Sequence, residues 1–393
     1  MHLAVNTPYL GVREIQYATE ALNAGEISGT CGGFLERFER EFAAYCGCCH
    51  GVATSSGTTA LHLAAATLGM GPGDEVLVST LTNMATFFAV LYQGAVPVPV
   101  DVEEDTWNLN PALLEELVTP RTKAILVVHL YGHPANMDSI LEFARRHHLY
   151  VIEDAAQAHG ALYKGRKVGS LGDIGCFSFY ANKILTTGEG GMLTTNDPAL
   201  AQRARSLQNL AYGPKQRFMH TELGFNYRMT NLQAALGCAQ LERIEEIVEK
   251  KRRVAWLYAK QLAYLERIQL PVEKPYAKSV YWMYHVVMKD PRRECRDLVT
   301  QLLSERGIET RPAFIPYNLQ DVFIRRRWTQ PDLCPVANRI ASVGFYLPSS
   351  ANLSEEEIRY VVGHLTDALG QVTNGSLRLP ATMKCNVQSA NRP

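Results

Sequence analysis

The chain has 393 residues, 47% apolar and 20% charged, with Lys+Arg and Asp+Glu equal at 39 each. That length points to two domains, or to one large domain with an appendage. The balanced charge offers no basic surface for nucleic acid or an anionic membrane, and no apolar run reaches the roughly 20 residues that span a bilayer. The N-terminus lacks a basic region followed by an apolar one, so a cytoplasmic protein is expected.

Residues 12–24 and 34–46 carry apolar side chains at helical spacing, for example Leu35, Phe38, Phe42 and Tyr45. The glycine-rich stretch between them, Gly25 to Gly33, either turns the chain or lies over a ligand. Cys46 and Cys49 have the spacing of a metal pair, but no second pair follows. The nine cysteines therefore read as reduced thiols, and no metal site is expected. At 51–70 a short apolar strand meets Ser55-Ser56-Gly57-Thr58-Thr59 and an Ala/Leu-rich helix. Free N–H groups at a helix start can seat an anion, although Ser and Thr also cap ordinary helices.

From Gly71 the apolar runs 71–80, 96–101, 123–132 and 149–156 alternate with helical segments at 85–93 and 139–148. This is the pattern of a parallel sheet covered on both faces, with ligands at the carboxyl ends of its strands. Two further strands are expected at 174–183, ending on Lys183, and at 190–197. The segment 220–241 is a loop running into a helix, and 241–265 is a long charged amphipathic helix. Beyond Pro271 the order becomes strand (279–288), helix (293–307), extended segment (308–316) and a final helix opened by a Ser354-to-Glu357 capping box. The expected fold is thus α/β, with a large domain at 1–245, a smaller α+β domain at 246–371 and a polar tail at 372–393.

Asp154 closes one apolar run, and Lys183 lies in apolar, aromatic and glycine-rich surroundings. Burial there lowers a lysine pKa, as a Schiff-base nucleophile requires. A carboxylate and a lysine brought together by neighbouring strands suit a cofactor that needs a ring-nitrogen partner and an amine, which is pyridoxal 5'-phosphate (PLP). Ala156 is small enough to lie under a planar ring, and Gln157 can bond a ring hydroxyl. His159 is either structural or a group behind the site.

These residues carry a resemblance. From Pro8 to about Leu365 the motifs SSGTTALHLA, GPGDEVLV, TPRTKAILVVHLYG, EDAAQAHGA, GSLGDIGCFSFYANK, GEGGMLTTND and GFNYRMTNLQAALG occur in order. In this the chain resembles the DegT/DnrJ/EryC1/StrS sugar aminotransferases, PLP enzymes of fold type I. The resemblance implies Lys183 as the lysine that joins the cofactor and shuttles protons, with Asp154 at the ring nitrogen and Gln157 at the ring hydroxyl. It implies Gly57, Thr58 and Ser178 at the phosphate, and Asn226 reaching the neighbour's phosphate in a homodimer with shared sites. L-glutamate is the implied amino donor and a nucleotide-linked 4-keto-6-deoxy sugar the acceptor. FSFYANKILTTGEGGM and GIETRPAFIP look most like the branch that aminates C4 of GDP-4-keto-6-deoxymannose. Toward the nucleotide sugar, the candidates are His159, Arg228, Arg311 and Asn318, with Lys215 a further cation for the diphosphate.

Two departures stand out. Asn83 occupies a place where many members put an aromatic residue over the ring, and Tyr317-Asn318 follows ETRPAFIP where related sequences often carry histidine. The alternatives are a keto-sugar dehydratase, an aminotransferase for C3 or for a dTDP or UDP sugar, and a non-catalytic PLP-binding paralogue. Dehydratases of this type replace the lysine with histidine, so Lys183 favours transamination.

Overall fold

The computed structural model describes residues 2–213, 218–220 and 222–373; Lys215 and most of the expected tail lie outside them. The strands of the first half are β1 (His50–Thr54), β2 (Glu75–Ser79), β3 (Val96–Val100), β4 (Thr122–Val128), β5 (Tyr150–Asp154), the short β6 (Leu162–Tyr163) and β7 (Arg166–Lys167), β8 (Ile174–Ser178) and β9 (Gly191–Thr195). Every residue of β2, β8 and β9 is buried, which is why these segments read as unbroken apolar runs rather than alternating ones. Seven of them form one sheet in the order β1-β9-β8-β5-β4-β2-β3, with pairs β2/β3, β2/β4, β4/β5 and β5/β8 parallel.

β9 is the exception, antiparallel to both β8 and β1. An antiparallel partner needs no crossover helix, so the chain returns directly from Ser178 to Gly191. That return carries Lys183 and places it at the carboxyl edge where β5 ends in Asp154. The strand expected to reach Lys183 therefore stops five residues earlier, at Ser178. Phe179 and Gly190 close the ladder, and the Lys183 N–H then donates to the Tyr180 carbonyl within a turn.

The helix Gly57–Thr67 packs between the sheet and its neighbours and is buried on nearly every side, hence its run of Ala and Leu. Ser56 caps it by accepting from the Thr59 N–H at 3.1 Å. Under the lysine turn Phe38, Phe42, Phe177 and Phe179 pack with ring centroids 4.9–5.8 Å apart, all fully buried. Each such ring contributes about 1.5–3 kcal/mol of burial, so the turn rests on a rigid floor.

The helix Ile244–Leu262 leads to β10 (Ile268–Gln269), β11 (Ala277–Lys278), β12 (Tyr284–Met288), β13 (Arg311–Pro312) and β14 (Gly344–Leu347). Four of these make an antiparallel sheet, β10-β12-β14-β13, while β11 pairs with β6 and so joins this part to the first half. The final helix, Glu355–Thr373, begins with the expected box: Ser354 Oγ accepts from the Glu357 N–H at 3.2 Å, and Glu357 Oε2 accepts from the Ser354 N–H at 2.8 Å. The N-terminal residues join the C-terminal part: Leu3 pairs with Ile308, and the Thr7 N–H donates to Ser350 Oγ at 2.9 Å. None of the described helices is long and apolar enough to cross a membrane.

Candidate active site

A cavity of about 350 Å³ opens at the carboxyl edge of the sheet. Its wall takes Gly57 and Thr58 from the helix start, Asp154, Ala156 and Gln157 from the end of β5, Ser178 from the end of β8, and Lys183 from the turn. One surface thus gathers seven of the eight residues expected to hold or react with the cofactor.

Asp154 is only 4% exposed and has two donors, Thr86 Oγ1 at 2.8 Å and the Ala156 N–H at 3.2 Å. Burial pushes its carboxyl above the usual range; the two hydrogen bonds and the nearby Lys183 amine oppose this but do not offset it. A cationic group placed against it would bring that carboxyl back down. Lys183 shows the complementary state. Its amine is brought down to about 8 by burial, with Asp154 pulling the other way, and Nζ lies 4.0 Å from the centre of the Trp282 ring. At pH 7.5 about a quarter of such amines are neutral, against roughly one in a thousand at an ordinary lysine pKa.

The Gln157 Oε1 accepts from the Tyr131 N–H at 2.8 Å, which turns the donor end of the amide toward the cavity. At the helix start the first-turn N–H groups of Gly57 and Thr58 have no intrahelical acceptor. Gly57 is required there because a Cβ would come within 2.6 Å of the Ser178 Cβ. A buried carboxylate without a cation, a softened amine and an anion seat share one wall, and this set fits PLP.

The expected substrate residues are placed differently. His159 is fully buried against Phe42, Phe177 and Phe179, and neither ring nitrogen has a partner. Burial and the Lys183 charge bring it down to about 3, so it is a neutral aromatic support beneath the turn rather than a group that touches substrate. Asn318 is also fully buried and fully engaged: its Oδ1 accepts from Thr80 Oγ1, and its Nδ2 donates to the Pro331 carbonyl and Asn338 Oδ1. It ties a loop together and has no group left for a sugar. Arg228 donates to Asn209 Oδ1 and lines a separate hollow of about 240 Å³ with Arg205 and the Gly29–Gly32 loop, so it does not reach the Lys183 cavity of its own chain. Arg311 is exposed on β13, opposite Tyr346 and ion-paired with Glu309, at the rim rather than in the wall. Asn226 is exposed, bridged to Asn209, and likewise outside this cavity.

Sequence reasoning missed Asn182, Trp282, Phe314 and Tyr346, which also line the cavity, and Thr86, which holds Asp154. The aromatic three come from the C-terminal part, more than 90 residues after Lys183 in the chain. The bulky run Tyr281-Trp282-Met283-Tyr284 was the one local sign of them.

The sequence profile of the DegT/DnrJ/EryC1/StrS aminotransferase family matches residues 8–366. Over 368 residues the chain is 46% identical to GDP-perosamine synthase of Caulobacter vibrioides, covering 93% of this chain and 98% of that protein. Over 360 residues it is 38% identical to GDP-perosamine synthase of Escherichia coli O157:H7, covering 92% and 96%. Among solved structures, a sugar aminotransferase candidate from Streptococcus pneumoniae in its PLP form superposes with a TM-score of 0.89 at 26% identity, over 95% of this chain and 100% of that one. The chain belongs to the DegT/DnrJ/EryC1/StrS aminotransferase family.

Proposed function

We propose that this protein uses PLP to move the amino group of L-glutamate to C4 of GDP-4-keto-6-deoxymannose, giving GDP-perosamine. The observation that carries the reading is the facing of the Lys183 amine and the Asp154 carboxylate across one cavity; the likeness to GDP-perosamine synthases supplies the sugar. Gly57, Thr58 and Ser178 would bind the cofactor phosphate, Asp154 the pyridine nitrogen, Gln157 the ring hydroxyl, and Ala156 would lie against the ring face. Bound there, the cofactor supplies an aldehyde that condenses with amines and a ring that withdraws electrons. Lys183 gives up its proton easily, because its amine is already partly neutral near pH 8. Held at the reacting carbon, Nζ takes a proton from one atom and returns it to another. Trp282, Phe314 and Tyr346 exclude water from that exchange.

The protein acts as a homodimer in this reading, with Asn226 completing the neighbour's phosphate site; its exposure in the single chain supports this. Mixing a Lys183→Ala chain with an Asn226→Ala chain should then restore activity that neither has alone. A cytoplasmic setting suits the cysteines, all unpaired among the described residues. The deciding experiment supplies glutamate with GDP-, dTDP- and UDP-linked keto sugars and identifies the aminated product by mass. A product from dTDP or UDP sugars alone would overturn the GDP assignment.

A further inference from the structure

The Asn182 carbonyl, one residue before Lys183, accepts two side-chain hydrogen bonds from opposite ends of the chain. Asn6 Nδ2 donates at 2.8 Å and Trp282 Nε1 at 2.7 Å. The Trp282 ring that makes one of these bonds is also the one beside the Lys183 amine. The other end of the Asn6 amide, Oδ1, accepts from Lys251 Nζ at 3.3 Å, and Lys251 also donates to the Ser349 carbonyl. Lys251 lies in the helix Ile244–Leu262, is 3% exposed, and has no carboxylate partner among the described residues.

The segment that carries Asn6 is itself stitched down. Leu3 exchanges backbone bonds with Gly307 and Glu309, the Val5 carbonyl accepts from the Ser349 N–H, and Thr7 bonds Ser350 Oγ through both N–H and Oγ1. Residues 186–190 of the return are bonded to Phe179 and to one another, whereas between Tyr180 and Lys183 the local bonds are the Lys183 N–H to the Tyr180 carbonyl and the Tyr180 N–H to Ser178 Oγ at 3.4 Å. Asn182 Oδ1 is buried on the cavity wall without a partner.

We propose that Asn6 is a positioning residue for Lys183: it clamps the turn to the junction with the C-terminal part and so fixes where the amine stands in the cavity. The inference rests on the reading of Lys183 as the reacting amine. A peptide carbonyl held by two donors cannot rotate without losing both, and a shift of about 1 Å at a reacting group is enough to cost rate. Asn6 is the one of the two donors that does not itself line the cavity.

The test uses the full-length chain in two forms. Stripped of cofactor, it is labelled competitively with acetic anhydride across pH, and Lys183 is read by peptide mass mapping. Loaded, it gives kcat and KM for glutamate. Asn6→Ala is expected to raise the apparent Lys183 pKa by about one unit as the amine gains water. It should also lower kcat about ten-fold with KM within about two-fold. Asn6→Asp keeps an acceptor for Lys251, and so the junction, but faces the Asn182 carbonyl with a carboxylate; it should lower kcat at least as much. Thr7→Val loses a side-chain bond to Ser350 in the same segment without touching the turn, and should leave both readouts unchanged. Unaltered Lys183 titration and kcat in both Asn6 variants would overturn the proposal, as would a Thr7→Val chain that matched them. Labelling needs no turnover and Lys183→Ala tests the aminotransferase reading separately, so failure of one is told from failure of the other.

Discussion

Glu153 and Asp154 are consecutive buried carboxylates at the end of β5, pointing to opposite faces of the sheet, and their surroundings could hardly differ more. Glu153 accepts four bonds: His129 Nε2 at 3.0 Å, the Gly169 N–H at 2.8 Å, and the Leu171 and Gly172 N–H groups at 2.7 Å each. His129 must donate through Nε2, because its Nδ1 accepts from the Ala135 N–H. Burial pushes the Glu153 carboxyl up, but these donors outweigh it and hold it below the usual range. Asp154, with two donors, is left above its usual range. The closed face is structure; the face left short of partners is where a ligand is recognised. The two buried lysines repeat the lesson. Lys251 spends its donors inside a junction, while Lys183 keeps its amine on a cavity wall.

The largest effect should come from the cavity side. Lys183→Ala is expected to lower the transfer rate by about 10⁴-fold or more while the chain stays folded, checked by initial rates and by thermal unfolding. Glu153→Gln should do the opposite. An amide nitrogen set against the Leu171 and Gly172 N–H groups breaks a saturated site, at a cost of about 3–5 kcal/mol in urea unfolding. The pH dependence follows from the depressed Glu153 pKa: its stabilisation is present above the ordinary glutamate pKa and is lost as pH falls through the lower folded value. The Glu153→Gln chain should therefore lose less stability than the wild type between pH 6 and the acid limit.

Asp154→Asn sharpens the comparison because its two readouts should move in opposite directions. The raised folded pKa means that the ionised carboxylate is a penalty at neutral pH, relieved as pH falls toward that value. Without cofactor the variant should be more stable than the wild type at pH 7, read by urea unfolding. Loaded, it should lose about 100-fold in rate, since an amide cannot hold the ring nitrogen protonated. A cofactor-free Asp154→Asn chain less stable than the wild type would show that Asp154, too, is a structural carboxylate.

How much of this the sequence could carry depended on distance along the chain. Asp154, Gln157, Ser178 and Lys183 sit within thirty residues, at or just beyond the ends of two strands that pair, so local pattern was enough to bring them together. The turn was harder. CFSFYANK continues apolar and aromatic past Ser178, and nothing in its composition marks the point where pairing with β9 ends. His159 and Asn318 misled because a polar side chain near a motif looks functional until its burial and partners are known: one is enclosed by phenylalanines, the other has spent its bonds. Trp282, Phe314 and Tyr346 reach the cavity only through the packing of the C-terminal sheet, which no short pattern encodes.

The smallest effect expected is at Asn83, on the cavity wall where the resemblance implies an aromatic residue over the ring. An aromatic ring there would gain about 0.5–1.5 kcal/mol of stacking against a bound ring. Asn83 already has a task, however. Its Oδ1 accepts from the Ala85 N–H at 3.0 Å and its carbonyl from the Thr86 N–H at 3.1 Å, which sets the start of the helix Ala85–Tyr92. Thr86 is in turn the donor to Asp154. Losing the side-chain turn costs on the order of 1 kcal/mol, much as a lost cap does, and loosens the group that orients the carboxylate. The two terms nearly cancel, so Asn83→Phe should change cofactor affinity by no more than about three-fold in a fluorescence titration. A gain of ten-fold or more would mean that ring stacking outweighs the turn, and that the cavity side of the comparison depends on aromatic cover rather than on the carboxylate left short of partners.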